Sequence, residues 1–273
     1  MIKNLKEPMR KLKTVALGAV LAFAGIAGTA SAPAQASTQA EYVALGDSYA
    51  SGVGAGTYDS AGGDCKRSPL NYPHQWAAAN PEYSLKDVTC SGATIADIRN
   101  NQLSALSSTT NFVTITVGGN DAQFSSVVQA CLTQSDSYCK TATDWMSYYA
   151  RNQLVDELAG LYKDIKARSP KALILVLGYP QTLSSTGTCP VIDLDATKRT
   201  AMNGLADALA EGTRAAATKA SVYFLDMRPT FKDHGACGSD PWINDLTNAS
   251  AVFHPNAAGY TKGYAAKLEA TWG

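Results

Sequence analysis

Apolar residues gather along this chain in two kinds of run. Five short ones, at 42–45, 86–90, 112–117, 172–177 and 221–226, have the length and content of strands. Ala-Leu-Ile-Leu-Val-Leu at 172–177 is apolar throughout, as expected of a parallel strand covered on both faces. Between these runs the spacing is helical. Ile95, Ile98, Leu103 and Leu106 share a face, as do Leu154, Leu158, Leu161 and Ile165. Met202, Leu205 and Leu209 mark a third helix, and Tyr260, Tyr264 and Leu268 a fourth. Pro170 stops the second of these after Lys166-Ala167-Arg168. Strands alternating with helices predict right-handed crossovers and an α/β sandwich. Its ligand site then lies in the loops at the strand carboxyl ends.

The first 36 residues do not belong to that pattern. Lys3, Lys6, Arg10, Lys11 and Lys13, with one anion at Glu7, precede a run of apolar and small residues from 14 to 28. Ala34-Gln35-Ala36 then offers an A-x-A cleavage site, with Ala32 as the alternative end. The order is that of a secretory signal peptide, and the apolar run falls short of the ~20 residues a bilayer span needs. The expectation is a secreted protein with no stable membrane anchor, whose mature part is a single domain over 37–273. Without residues 1–36 the charges are 18 cations against 22 anions, near −4, so no basic stripe remains for nucleic acid. All six cysteines lie in the mature part, and an even number in an exported chain argues for disulfides. There is no C-x-x-C pair to support zinc. Sequence alone leaves the connectivity open, with Cys131–Cys139 the easiest local bridge.

Candidate chemistry sits where the strands end. The first strand stops at Gly46-Asp47-Ser48, and glycines follow at 52, 54 and 56, leaving little bulk around Ser48. All three residues are ordinary turn formers, but this serine stands where α/β folds place their ligands. The second strand closes on Cys90-Ser91-Gly92-Ala93-Thr94, where Thr94 can cap the next helix. The third closes on Gly118-Gly119-Asn120-Asp121, two glycines for a sharp turn and an amide to point over the sheet edge. Serine is a weak nucleophile until a neighbouring base takes its proton. Of the three histidines, His74 reads as a packing or surface residue at a helix start, and His234 lies in a polar Lys-Asp-His-Gly turn. His254, held by Pro255 at the mouth of the last helix, is the base of choice.

Taken in order, Gly46-Asp47-Ser48-Tyr49, Ser91-Gly92-Ala93, Gly118-Gly119-Asn120-Asp121 and Phe253-His254-Pro255 resemble the GDSL or SGNH hydrolase family. The likeness extends from Tyr42 to the end. It is to the secreted bacterial lipases, esterases and phospholipases A1 of that family, which also carry six cysteines. The resemblance implies a three-layer α/β/α sandwich around a flavodoxin-like sheet of five parallel strands. It implies Ser48 as nucleophile and His254 as general base, then acid. The oxyanion donors would be the backbone N–H of Ser48, the backbone N–H of Gly92 and the Asn120 amide. It also implies bridges Cys65–Cys90, Cys131–Cys139 and Cys189–Cys237, and no metal or organic cofactor. Acyl transfer passes through a tetrahedral oxyanion, which fixed donors of this kind stabilise.

One position departs from the family. The aspartate usual three residues before the histidine is replaced by Ala251, and no carboxylate lies between 246 and 254. A catalytic imidazole needs an acceptor for its second N–H, so a backbone carbonyl from Val252 or Ala251 is expected to orient His254. The sequence thus predicts a monomeric serine ester hydrolase acting on lipid or short-chain acyl esters, with transient contact with lipid surfaces. The enzymatic alternative is a carbohydrate acetyl esterase. The non-enzymatic one is an extracellular binding module that keeps the fold.

Overall fold

The computed structural model describes residues 39–192 and 194–273. The signal peptide expected over 1–36 lies outside the described residues. Five parallel strands form one sheet in the order β2-β1-β3-β4-β5, namely β1 Ala40–Gly46, β2 Tyr83–Asp87, β3 Thr110–Thr116, β4 Leu173–Leu177 and β5 Tyr223–Leu225. This is the flavodoxin-like order, in which the chain reverses direction across the sheet between β1 and β3 and leaves a crevice there. β1 feeds the short helix α1 (Ser48–Ser51), and α2 (Tyr72–Ala79) precedes β2. α3 (Ile95–Asp97) runs on through a π turn, Ile98–Gln102, and a 3₁₀ turn, Leu103–Ala105. After β3 come α4 (Phe124–Thr133), α5 (Asp136–Arg151) and α6 (Gln153–Arg168). α7 (Ala196–Ala220) joins β4 to β5, and a π turn, Gly259–Ala265, leads into α8 (Ala266–Trp272).

The four predicted helical faces are all buried, from Ile95, Ile98, Leu103 and Leu106 to Tyr260, Tyr264 and Leu268. α6 stops at Arg168, two residues before Pro170. Two strands differ from the sequence reading. β2 runs from 83 to 87 rather than 86 to 90, because it is an edge strand whose Tyr83 and Leu85 alternate with exposed neighbours. Residues 88–90 still follow β1, with the Val88 and Cys90 N–H groups bonded to Ala44 O and Gly46 O at 3.1 and 3.0 Å. β5 spans only 223–225, since Ser221 is the left-handed cap of α7. The run over 95–106 is no regular helix. Its π turn swings Gln102 inward, where the side-chain amide grips both backbone groups of Gly46, at 2.8 and 2.9 Å.

The described residues contain no free cysteine and three disulfides, Cys65–Cys90, Cys131–Cys139 and Cys189–Cys237. The first ties the loop after α1 to the extended segment that follows β2. The second staples α4 to α5, and the third ties the loop after β4 to the loop after β5. No described helix is long and apolar enough to cross a membrane.

Candidate active site

The turn that presents Ser48 is built by its neighbours. Asp47 continues the β1–β3 ladder through its N–H to Thr116 O (2.9 Å), then caps α1 by accepting the Tyr49 N–H on Oδ1 (3.0 Å). Gly46 has φ +134°, and a Cβ there would come 2.5 Å from Thr116 O, so only glycine lets the chain turn this close to β3. Ser48 keeps only 9% of its surface exposed, at the bottom of a crevice.

His254 arrives from the other side on a short loop. Phe253, before it, sits in the left-handed region at φ +58°, a strained setting for a bulky residue. Three bonds hold that setting. Phe253 N–H donates to Asn244 O (2.9 Å), His254 N–H to Ala251 O (3.0 Å), and the Tyr49 hydroxyl to Phe253 O (2.6 Å). Asn244 also spreads its side-chain amide over Gly54 O, His254 O and Pro255 O, joining the nucleophile loop to the histidine loop. A Cβ on Gly54 would strike Pro255 O at 2.4 Å, so this glycine is needed for the close approach of the two loops.

The imidazole Nε2 lies 2.8 Å from Ser48 Oγ, and Nδ1 lies 3.1 Å from Val252 O. A carbonyl only accepts, so Nδ1 carries the proton and Nε2 is free to accept from the serine hydroxyl. Of the two carbonyls the sequence left open, Val252 O faces the ring and Ala251 O takes the backbone N–H. Asp245 is turned away, accepting from Thr247 N and Oγ1 at 2.8 and 2.6 Å, and the Asp240 carboxylate pairs with His234 at 3.3 Å. Although part of the ring opens onto the crevice, packed surroundings lower its pKa to about 4. Burial is the main cause; the Val252 carbonyl opposes it, and the Lys66 cation adds to it. His74 bonds to Asn71, and His234 stacks on Trp242 at 3.7 Å between ring centres, both remote from this chemistry.

Ser48, Asn120 and His254 line one cavity with Tyr49, Tyr179 and the apolar Phe124, Pro180, Ala206 and Leu209. Gly92 stands on the adjoining loop at φ +82°, with open space where a Cβ would be. Asn120 reaches that loop through Nδ2 to Ala93 O (3.0 Å), and Asp121 accepts the Ile95 N–H (3.1 Å). The Ala93 bond uses one amide hydrogen of Asn120 and leaves the other to donate. Among the described residues, neither Ser48 N–H nor Gly92 N–H has an acceptor in the fold. The arrangement can deprotonate a serine and offer neutral donors to a developing anion beside it. Among the described residues no cluster of His, Cys, Asp or Glu could hold a metal ion.

Sequence reasoning missed Tyr49, Gln102, Tyr179 and Asn244 as parts of this site. Tyr49 stands inside the first block and Asn244 ten residues before His254. Gln102 and Tyr179 come from elements that carry no motif.

The chain is similar to known proteins over most of its length. The signature of the GDSL-like Lipase/Acylhydrolase family matches residues 44–262. Lipase 1 of Streptomyces coelicolor is 40% identical over 262 residues, covering 94% of this chain and 97% of its own. The crystal structure of an extracellular lipase from Streptomyces rimosus superposes with a TM-score of 0.81 at 38% identity, over 85% of this chain and 99% of that one. A phospholipase A1 from Streptomyces albidoflavus gives the same TM-score of 0.81 at 40% identity, with the same 85% and 99% coverage. The chain is a carboxylic ester hydrolase and belongs to the GDSL-like lipase/acylhydrolase family.

Proposed function

We propose that this protein, exported and trimmed to a single domain over 37–273, hydrolyses lipid or short-chain acyl esters as a monomer through an acyl-enzyme on Ser48. The observation that carries the reading is the Ser48 Oγ–His254 Nε2 contact of 2.8 Å, with Nδ1 held on Val252 O. Nε2 takes the hydroxyl proton as Oγ attacks the ester carbonyl carbon. The carbonyl oxygen becomes an oxyanion facing the N–H groups of Ser48 and Gly92 and the Asn120 amide. Collapse breaks the bond to the alcohol, which leaves with the proton from Nε2. Water then repeats the sequence on the acyl-serine, giving its proton to Nε2 and releasing the acid, with Ser48 reprotonated.

The apolar residues lining the cavity suit the acyl chain, and the relatives' names, lipase and phospholipase A1, favour a lipid ester. Three disulfides and the extracellular relative support export. The test is hydrolysis of p-nitrophenyl esters of graded chain length, beside a phospholipid emulsion and an acetylated glycan. The reading expects turnover of the acyl esters and the phospholipid. Cleavage of the glycan alone would replace it with an acetyl esterase.

A further inference from the structure

Tyr179 follows β4, two residues past its end, and belongs to none of the motif blocks. Its side chain is buried beside Tyr49, ring centres 5.0 Å apart and nearly perpendicular. The hydroxyl stands between the two loops that supply the reaction. It donates to Asp47 Oδ2 and accepts the Gly119 N–H at 3.0 Å. Asp47 is the residue before Ser48, and Gly119 the residue before Asn120. The phenol's pKa is pushed well above its usual value by burial, so it remains a donor, and its one proton is committed to the carboxyl. A Cβ on Gly119 would come 3.2 Å from the Tyr179 hydroxyl, so the absence of a side chain there admits the contact.

We propose that Tyr179 is a positioning residue that fixes the separation of Ser48 from Asn120, by bridging the Asp47 turn after β1 to the Gly119 turn after β3. β1 and β3 are adjacent strands, but their ladder ends at the Asp47–Thr116 bond, and both loops then leave the sheet. Beyond that point the Tyr179 hydroxyl joins the two turns directly. The proposal rests on the assignment of Ser48 and Asn120 above. It adds that the oxyanion donor is held in register by a residue whose ring lines the same cavity but whose hydroxyl is committed to Asp47 and Gly119 rather than to the reacting atoms.

Tyr179→Phe keeps the ring and its packing and removes only the bridging oxygen. Displacements of about 1 Å in a reacting geometry cost up to ~10²-fold in rate. The variant should therefore lose roughly 10–100-fold in kcat on p-nitrophenyl acetate, with KM within about twofold. Rates are taken per active site titrated with a fluorophosphonate, so that misfolded protein does not count. The decisive arm repeats the substitution in an Asn120→Ala background. If Tyr179 acts through the placement of Asn120, the second loss shrinks to about threefold or less. A larger loss in that background, a kcat for Tyr179→Phe within twofold of wild type, or an effect confined to KM overturns the proposal. Should Tyr179→Phe not fold, Asp47→Ala, which removes the partner of the Tyr179 hydroxyl, is compared with Asp47→Asn, whose amide can still bond to it: the Ala variant must lose at least about tenfold more kcat, and only while Asn120 is present. Failure of the underlying assignment would show separately, as an Asn120→Ala single variant with undiminished kcat.

Discussion

The imidazole of His254 should be neutral far below the pH at which histidines ordinarily titrate. In the structure Nδ1 faces a peptide carbonyl, Val252 O at 3.1 Å, where a carboxylate would carry a full charge. Burial therefore wins, and the pKa falls from 6.5 to about 4. That displacement corresponds to ~3 kcal/mol in favour of the neutral ring. At pH 5 such a ring is about 90% neutral, against roughly 3% for an unperturbed histidine. The assay is long-range ¹H–¹⁵N NMR of the three histidines in uniformly labelled protein between pH 3.5 and 8. The His254 resonances, identified by their loss in His254→Ala, should show the Nδ1–H tautomer and a midpoint near 4. The sign also shows in stability. A folded-state pKa below the unfolded one gives a contribution complete above about pH 6.5 and lost as pH falls through 4. The unfolding free energy of wild type relative to His254→Ala should thus drop by up to ~3 kcal/mol between pH 7 and 4. Asp47, whose pKa burial raises to about 7, runs the other way, losing stability as pH rises, but it is present in both proteins and cancels. A His254 midpoint at or above 6 would refute the reasoning and place an anion on Nδ1.

Other expectations follow from the same geometry. Asp240→Asn and Asp245→Asn, made separately, should leave kcat within about tenfold, because neither carboxylate reaches the ring; in a carboxylate triad the corresponding loss is ~10⁴. Steady-state kinetics showing a loss of three orders of magnitude in a folded variant would make that aspartate a third catalytic member. Asn120→Ala should cost ~10²–10³ in kcat, the usual loss of one oxyanion donor, read on a soluble p-nitrophenyl ester. Among the disulfides, Cys189–Cys237 closes a separation of 48 residues and Cys131–Cys139 one of 8. Chain entropy then assigns about 4 and about 2.5 kcal/mol. Urea melts of the paired Cys→Ser variants should fall in that order, and the reverse order would refute the entropic account.

Legibility in the sequence followed locality. Ser48, Gly92, Asn120 and His254 are carried by short blocks at the ends of strands and beside a helix, where glycine and turn residues mark the chain. The parts that align them have no such marks. Tyr179 meets Asp47 across 132 positions and Gln102 meets Gly46 across 56, and a single long-range pair leaves no period to read. Helix α5 escaped the hydrophobic pattern for a different reason. Its inner face is small or polar, with Cys139, Thr143 and Ala150 buried, while Tyr138, Trp145 and Tyr148 are exposed. Close packing makes that inner face workable, since a Cβ on Gly212 of α7 would fall 2.0 Å from Ala150 O. The strand β2 slipped by three residues because an alternating edge strand and the extended segment after it look alike in sequence. The orienting carbonyl of His254 could be narrowed to Val252 or Ala251 by the missing aspartate, but choosing between them required the turn at Phe253.

The account's central claim is that Ser48 is the atom that attacks. Intact-mass and peptide mass spectrometry after treatment with a serine-directed fluorophosphonate tests it most directly. One phosphonyl group per chain is predicted, on the peptide containing Ser48, with none on Ser48→Ala and loss of ester hydrolysis in step with labelling. An adduct on another residue, or a Ser48→Ala protein still turning over at a tenth of the wild-type rate, would contradict it.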